Sequence, residues 1–163
     1  MTTALDPALR LQHALDIAYR YLGRRDRTVL EVRRQLEAKA VEPATIDKAI
    51  AELAEQGYLD DARYAQRFVE DRRRLDGWGA ERIERKLLSV GVGAEHVRAA
   101  LGAGAGDDEP HDELAAAVAV LRRRFREPPE TDRDRDRALG LLVRKGYELD
   151  LAYDAIRAFG RDD

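Results

Sequence analysis

Hydrophobic residues recur along this chain at the spacing of one helix face, three or four positions apart. Two segments show the pattern most clearly, with apolar residues at Leu11, Leu15, Ala18 and Leu22 and again at Leu114, Val118, Leu121 and Phe125. In the segment between them, Asp71 interrupts the equivalent stripe, so we expect the buried face to run instead through Ala65, Phe68 and Val69. No segment sustains the alternation of a strand. The pattern predicts an all-α protein.

A weak internal repeat organises these helices. Three helical patterns end with a leucine, followed four residues later by a small residue and then by an apolar one: Leu36 with Ala40, Leu87 with Gly91, and Leu142 with Gly146. Glycine is the usual residue just past a helix end. Eight residues before each leucine stands an accepted N-cap residue, and these are Thr28, Gly79 and Asp134. Glu31 is expected to complete a capping box with Thr28.

Each copy of the repeat is predicted to contain three helices, in a helix-turn-helix-like arrangement. The predicted helices span residues 9–24, 28–40, 43–56, 60–75, 80–90, 94–102, 110–126, 133–145 and 148–159. They group into repeats at 9–57, 58–103 and 111–160. Residues 104–110 form a predicted linker, because glycines, acidic residues and a proline all oppose helix. Repeats of this kind pack mainly on their neighbours, so we expect an elongated molecule.

Composition narrows the possible functions. Hydrophobic residues make up 44% of the 163 residues and charged residues 37%, which suits amphipathic helices with wide solvated faces. The chain has no cysteine, which excludes disulfides, thiolate catalysis and cysteine-based zinc sites. The N-terminus lacks the features of a signal peptide, and no apolar run approaches the ~20 residues of a membrane helix. We therefore expect a cytoplasmic protein.

The sequence contains no evident constellation of catalytic or metal-ligating residues. His13, His96 and His111 are scattered, without a second ligand at metal spacing. Aspartates and arginines alternate at 132–137, which predicts a solvated helix start rather than a metal site. Gly77 and Gly79 are only a fragment of a dinucleotide-binding motif, and no predicted strand precedes them. We predict that the protein is not an enzyme and that it holds no metal and no cofactor.

Arginines cluster near the end of the first helix of each repeat, in the stretches 24–27, 72–74 and 122–126. Cations at a helix C-terminus offset the helix dipole, but a single one would be enough for that. A second basic group lies on the second helices, close to these ends. We predict a recurrent basic edge that contacts a partner, and its candidate residues are Arg24, Arg25, Arg33, Arg34, Arg72, Arg73, Arg74, Arg82, Arg85 and Lys86.

Two rival classes of function stay open. One is a helix-turn-helix-type repeat protein that binds DNA directly, and the other is a structural scaffold. Direct readout of DNA needs a helix that presents base-reading residues to the major groove. The third helices are poor candidates for this role, because the stretch 45–56 is net acidic and would be repelled by phosphates, and the stretch 149–157 is no better.

The stretch 57–69, Gly-Tyr-Leu-Asp-Asp-Ala-Arg-Tyr-Ala-Gln-Arg-Phe-Val, continues to Arg72, Gly79, Arg82 and Leu87. It closely resembles the central signature of the RecX family, bacterial regulators of the RecA recombinase. The stretches 21–36 and 121–147 look like the first and third units of that family, so the resemblance covers about residues 11–159. Two positions depart from the family pattern: 80 is alanine where proline is common, and 90 is valine where lysine is usual.

The resemblance implies three tandem three-helix units in an elongated, curved stack without enzymatic activity. It also implies binding along the groove of the RecA–DNA filament, where the protein would limit filament growth and recombinase activity in DNA repair, recombination and the SOS response. The implied partners are the RecA filament and the single-stranded or duplex DNA within it, with no membrane, and we expect a monomer. Much of the signature is expected to be structural, with Asp60 as a helix cap and a core of Tyr58, Leu59, Tyr64, Phe68, Ile83 and Leu87.

Overall fold

The computed structural model describes residues 6–103 and 109–161, and over these two ranges it contains nine α-helices and no strand. The all-α prediction is confirmed. The helices are α1 (Pro7–Leu22), α2 (Val29–Ala38), α3 (Pro43–Glu55), α4 (Asp61–Asp71), α5 (Ala80–Ser89), α6 (Ala94–Gly102), α7 (Glu113–Arg124), α8 (Asp132–Lys145) and α9 (Leu149–Phe159). A π-helical turn, Arg72–Asp76, continues α4.

The predicted caps of α2 and α4 are confirmed by their hydrogen bonds. The Thr28 hydroxyl accepts a hydrogen bond from the Glu31 backbone N–H at 3.2 Å, and the Glu31 carboxylate accepts one from the Thr28 N–H at 3.1 Å. The Asp60 carboxylate accepts a hydrogen bond from the Arg63 N–H at 3.0 Å. Each helix start is therefore set by residues within one turn of it.

The predicted cap of α8 is wrong. Thr131, not Asp134, is the N-cap, because its hydroxyl accepts a hydrogen bond from the Asp134 backbone N–H at 3.1 Å. The helix consequently begins at Asp132 and has 14 residues, whereas α2 and α5 have 10 each. The second helix of the third unit is thus one turn longer than its counterparts.

Three separate hydrophobic cores hold the helices together, each built from three consecutive helices. The main interhelical contacts occur among α1, α2 and α3, among α4, α5 and α6, and among α7, α8 and α9. The three leucines that mark the repeat, Leu36, Leu87 and Leu142, are each fully buried in a different core. These three groups of helices, α1–α3, α4–α6 and α7–α9, are the first, second and third units.

All three repeat leucines also end their helices in the same way. Their carbonyl oxygens accept a hydrogen bond from the backbone N–H five residues on, at 3.1 Å in the first unit and 3.0 Å in the second and third. The residue just before each of these donors has a positive φ: 58° at Ala40, 90° at Gly91 and 98° at Gly146. This geometry, with a left-handed residue after the helix, is the Schellman ending that the small residues indicated.

The predicted core of the second unit is partly wrong. Leu59, Ile83 and Leu87 are buried as predicted, whereas Tyr58 is 56% exposed. Tyr58 lies at the boundary with the first unit, where its ring packs edge-on against Tyr19 with 5.4 Å between the ring centroids. An amphipathic aromatic ring can pack on one face and leave the other in water.

Tyr64 and Phe68 are half-buried at the edge of the second core rather than inside it. The small residues Ala65 and Val69 occupy the centre of this face of α4. The stripe through Ala65, Phe68 and Val69 is therefore the one that the structure contains. In the third unit, Leu114 is exposed, at the N-terminal end of the apolar series that continues through Val118 and Leu121.

The large accessible surface area of the chain supports an extended arrangement of the units. The accessible surface is 10836 Å², about a third more than the ~8200 Å² expected of a compact monomer of this mass. The boundaries between the repeats and the curvature of the stack stay predictions. Residues 104–108 of the predicted linker lie outside the described ranges.

Candidate partner-binding surface

The second helices of the three units meet end to end. In the first joint, between the first and second units, the N-terminus of α2 lies against the C-terminus of α5, and the Thr28 hydroxyl donates to the Val90 carbonyl at 2.5 Å. In the second joint, between the second and third units, the N-terminus of α5 lies against the C-terminus of α8. There the Gly79 N–H donates to the Lys145 carbonyl at 2.8 Å. Both joints bring a negative helix end to a positive one.

Glycine allows the close approach at each joint. A Cβ on Gly91 would lie 2.5 Å from the Leu30 Cβ, and a Cβ on Gly146 would lie 2.2 Å from the Arg82 Cβ. Ala40 is the equivalent residue in the first unit, and it is exposed at the end of the stack. A side chain is tolerated there because the described residues place no further helix against it.

Arg34 and Arg85 occupy equivalent positions on α2 and α5. Each stands two residues before the buried leucine of its unit, and each is exposed. Neither forms an ion pair within the part of the chain that the structure describes. The end-to-end arrangement of α2 and α5 thus presents the same cation twice, once per unit.

Three more of the predicted site residues are exposed. Arg24 lies in the loop after α1, Arg74 in the π-helical turn, and Lys86 beside Arg85 on α5. Arg74 makes only a long contact with Asp71, at 3.5 Å. Together with Arg34 and Arg85 these residues form what we call the exposed basic set.

Three other predicted residues are held in ion pairs within the protein. The Arg25 guanidinium lies 2.8 Å from Glu31, the Arg33 guanidinium 2.9 Å from Asp47, and the Arg72 guanidinium 2.5 Å from Asp76. Each carboxylate competes with an external anion for its arginine. These positions are less suited to a partner than the exposed basic set is.

Arg73 points into the protein. Its guanidinium donates to the carbonyl of Leu101 at 2.8 Å and to that of Ala103 at 3.1 Å, at the end of α6. Burial lowers the pKa of the Arg73 guanidinium. Arg73 therefore ties the π-helical turn to the end of the second unit, a role that its place in an arginine cluster did not indicate.

Arg82 is likewise occupied within the protein. Its guanidinium lies 4.0 Å from the centroid of the Trp78 ring and donates to the Arg144 carbonyl at 3.1 Å. The stem of Arg82 also fills the space beside Gly146. This arginine is part of the second joint, although in sequence it looks like its neighbour Arg85.

The histidines do not come together. His13 is exposed on α1, and His96 is half-buried on α6. His111 lies 3.1 Å from Glu113, and burial, with the charge of Arg73, lowers its pKa. Within residues 6–103 and 109–161 no group of three His, Cys, Asp or Glu side chains could hold a metal ion, and no helix is long and apolar enough to cross a membrane.

Comparison with known proteins identifies the family. Residues 14–53 match the family model of the first three-helix domain of RecX, and residues 60–101 match that of the second. The regulatory protein RecX of Leptothrix cholodnii is 33% identical over 86% of this chain and 85% of its own length. The chain belongs to the RecX family. The regulatory protein RecX of Mycolicibacterium smegmatis is 30% identical over 94% of this chain and 82% of its own.

Solved structures show the same fold in other RecX proteins. The crystal structure of RecX from Lactobacillus salivarius superposes with a TM-score of 0.76 at 19% identity, covering 93% of this chain and 97% of that one. A second RecX crystal structure gives a TM-score of 0.72 at 23% identity, covering 96% and 79%. At these identities the likeness shows the fold alone.

The arginines of α8 are not among the site residues predicted from the sequence. Arg133, Arg137 and Arg144 are exposed and line a groove of about 380 Å³ between α8 and the end of α7. In sequence, two of them belong to the alternating stretch 132–137, which suggested that their charges are cancelled. The spacing of four and then seven residues would have placed them on one helix face.

Proposed function

We propose that this protein regulates the RecA recombinase by binding the RecA–DNA filament and limiting its growth. Membership of the RecX family, whose curated members are named regulatory proteins, carries the proposal. The exposed basic set supports it, because Arg34 and Arg85 repeat at equivalent positions along an extended stack. A repeated cation suits a filament, which offers the same acidic side chain or phosphate at regular intervals. Such a role belongs in the cytoplasm, and we expect a monomer to perform it.

The mechanism that we infer is binding rather than catalysis. Arginine can bind a carboxylate or a phosphate through two parallel hydrogen bonds, which gives orientation as well as charge attraction. A protein bound along several filament subunits would oppose the addition of further subunits or promote their loss. The protein by itself should hydrolyse no nucleotide, and its presence should lower the ATP turnover of RecA on single-stranded DNA.

The exposed basic set provides the test. We expect the double variant Arg34→Glu/Arg85→Glu to bind the assembled filament more weakly by about 2 kcal/mol or more, through lost pairs and new repulsion. The matched control is Lys48→Glu/Arg98→Glu, which makes the same change in charge at exposed positions of the third helices α3 and α6. Filament binding is measured by co-sedimentation and RecA activity by ATP turnover. Equal loss in both double variants would show that only net charge matters and would contradict the assigned surface.

Direct binding of duplex DNA by a helix-turn-helix element is the rival. The third helix α3 carries three exposed or partly exposed carboxylates, Asp47, Glu52 and Glu55, and one lysine, Lys48. Its net charge is therefore negative, and the phosphates of DNA would repel it. A comparison of the bare duplex with the assembled filament decides between the two functions. Tight binding to the duplex without RecA would favour the rival, whereas binding that needs the filament would favour the proposed regulator.

A further inference from the structure

A groove of about 450 Å³ lies between α8 and α9 in the third unit, beside the loop that precedes α8. Leu139 from α8 and Ile156 from α9 form its floor, and both are half-buried against the third core. Pro128 and Pro129 of the loop line it as well. Proline has a fixed φ and no backbone N–H, so this wall is stiff and offers no backbone donor. The groove is therefore a preformed, largely apolar surface.

Comparison of the three units shows that this apolar lining is particular to the third. Leu139 and Tyr153, which both line the groove, lie three residues before and eleven residues after the repeat leucine of their unit. The residues at the same distances in the first unit are Arg33 and Asp47, whose side chains form an ion pair at 2.9 Å. In the second unit both equivalent positions are charged and exposed. Charged side chains between the second and third helices are thus replaced by an apolar pair in the third unit.

The stability of α9 does not explain its second apolar face. Ala152 and Phe159 belong to the buried face of this helix. Leu149, Tyr153 and Ile156, spaced by four and three residues, form another face. Tyr153 is 45% exposed, and its hydroxyl forms no hydrogen bond within the described residues. A helix that packs on one side normally presents polar residues on the other, and an exposed apolar patch marks an interaction site.

Arginines surround the apolar lining. Arg135, Arg157 and Arg161 line the groove, against a single carboxylate, Asp136. Arg161 forms no ion pair within the described residues. Arg135 and Arg157 each pair with an aspartate three residues earlier on the same helix, but more than half of each arginine side chain stays exposed. Exposed pairs of this kind contribute little to stability, so a carboxylate of a partner can take the place of the aspartate.

We propose that this groove binds a short acidic segment of another protein. Its large apolar side chain lies on Leu139, Tyr153 and Ile156, and its carboxylates pair with Arg157 and Arg161. The arginines select carboxylates, which they bind through two parallel hydrogen bonds, and the floor selects an aliphatic or aromatic anchor. Amphipathic segments that offer both are common ligands of apolar grooves. The groove shares no residue with the exposed basic set, so this inference goes beyond the regulation of RecA and requires no filament.

The first experiment measures the binding of three fluorescein-labelled peptides by anisotropy, without RecA. The test peptide is Asp-Glu-Leu-Phe-Asp-Glu-Leu. One control peptide carries Asn and Gln in place of its acidic residues, and the other carries Ser in place of its apolar residues. We expect the test peptide to bind, and each control peptide to bind at least about tenfold more weakly, because it lacks either the ion pairs or the buried anchor.

The sharpest variant is Leu139→Arg/Tyr153→Asp, because it places in the third unit the ion pair that the first unit already contains. The fold tolerates this pair as Arg33 and Asp47 between α2 and α3. The variant should therefore keep its helices, which circular dichroism checks. It should bind the test peptide at least about tenfold more weakly, since the apolar anchor loses its surface.

A second variant changes only the charge of the rim. Arg157→Gln/Arg161→Gln should weaken binding of the test peptide by at least about fivefold and make the remaining binding less sensitive to salt. The matched control, Arg133→Gln/Arg144→Gln, removes the same charge from exposed positions of α8 that do not line this groove. We expect the control to stay within about twofold of the unsubstituted protein.

Several outcomes would overturn this inference. They are no binding of the test peptide at low salt, equal binding of the three peptides, equal losses in the rim variant and its control, or displacement of the peptide by oligothymidylate. Self-association that Leu139→Arg/Tyr153→Asp abolishes in sedimentation velocity would assign the groove to a second copy of the chain. Loss of co-sedimentation with the filament in the same variant would assign the groove to the RecA contact instead. Regulation of RecA would survive each of these results, because the exposed basic set is tested separately.

Discussion

The hydrogen bonds of the first joint involve side chains, whereas the second joint adds hydrogen bonds between two backbones. At the first, the Thr28 hydroxyl donates to Val90, and the Val29 N–H donates to the Asp61 carboxylate at 3.0 Å. At the second, Gly79 replaces the threonine, and two backbone N–H groups, those of Gly79 and Glu81, donate to carbonyls of the third unit at 2.8 and 3.0 Å. The same helix ends meet in both places through different donors.

The absence of a side chain at Gly79 brings two backbones together. A Cβ there would lie 2.5 Å from the Gly146 carbonyl oxygen. Around this contact the second joint adds a buried hydrogen bond from the Tyr147 hydroxyl to the Gly77 carbonyl, at 2.9 Å. Burial raises the pKa of the Tyr147 phenol, which therefore stays protonated and remains a donor. The second joint should accordingly tolerate substitution less well than the first.

The largest expected effect is at Gly146. Gly146→Ala adds a Cβ against the backbone of Arg82 and places a residue with a side chain at a φ of 98°, so it should destabilise the fold by about 3 kcal/mol or more. Gly91→Ala should cost somewhat less, since the three atoms nearest to the added Cβ belong to the Leu30 side chain rather than to the backbone, although the first of them is the Leu30 Cβ at 2.5 Å. Urea unfolding followed by circular dichroism gives both values. A cost at Gly91 equal to that at Gly146 would remove the distinction between the joints.

Two controls separate the strain of a positive φ from the clash. Gly57 has a φ of 81°, and a Cβ on it would meet nothing within 4 Å, so Gly57→Ala should cost only about 1 kcal/mol. Ala40→Gly removes the same strain at the free end of the stack and should stabilise the protein by up to about 1 kcal/mol.

The next effect concerns Thr28. Thr28→Val removes the helix cap together with the hydrogen bond to Val90, and should destabilise the protein by about 1–2 kcal/mol. Thr28→Ser keeps the hydroxyl and should retain most of the stability. Chemical denaturation of the two variants makes the comparison. A larger loss for serine than for valine would mean that packing of the threonine methyl, not the hydroxyl, holds the first joint.

A smaller effect distinguishes two arginines, one from each joint. Arg82→Met removes a half-buried guanidinium from the Trp78 ring and from a carbonyl, and should cost about 1 kcal/mol. Arg67→Met removes an exposed ion pair with Asp26 across the first joint and should cost less than about 0.5 kcal/mol. Thermal unfolding at high and low salt measures both. A salt-sensitive loss at Arg67 larger than that at Arg82 would reverse the order.

The smallest effect is the pH dependence of the second joint. His111 lies beside Glu113, whose carboxylate accepts a hydrogen bond from the Ala80 N–H at 2.7 Å, and it also faces the charges of Arg73 and Asp112. Burial, followed by Arg73, lowers the pKa of His111. The unfolded chain then binds the proton more readily than the folded one. The contribution of His111 to stability is therefore fully present above pH ~6.5 and is lost as the pH falls below that value.

Variants test this pH dependence. His111→Asn should remove the part of the acid-dependent loss that His111 causes, seen as a smaller difference in unfolding free energy between about pH 7.5 and 5.5. The pKa of Asp61, at the first joint, shifts in the other direction, because burial raises it. The contribution of Asp61 to stability is therefore lost as the pH rises. Unchanged pH dependence in His111→Asn would exclude a titrating histidine at the second joint.

Much of the fold could be predicted because its causes are local. Helix periodicity, the Thr28 and Asp60 caps and the left-handed residues after Leu87 and Leu142 each depend on residues within a few positions. Even the error at α8 is local, since Thr131 and Asp134 are both able to cap and only the observed hydrogen bond chooses between them. The sequence by itself therefore determined the helices, the three-fold repeat and the family.

The tertiary structure decided which cations are available. Arg82 and Arg85 are three positions apart on one helix, yet Arg82 packs on Trp78 across the second joint and Arg85 stays exposed. Arg73, within a run of three arginines, binds carbonyls 28 and 30 residues away. No pattern of neighbouring residues reports such contacts, because they depend on how distant helix ends meet. Local sterics and hydrogen bonding set the helices, whereas long-range packing set the candidate surface.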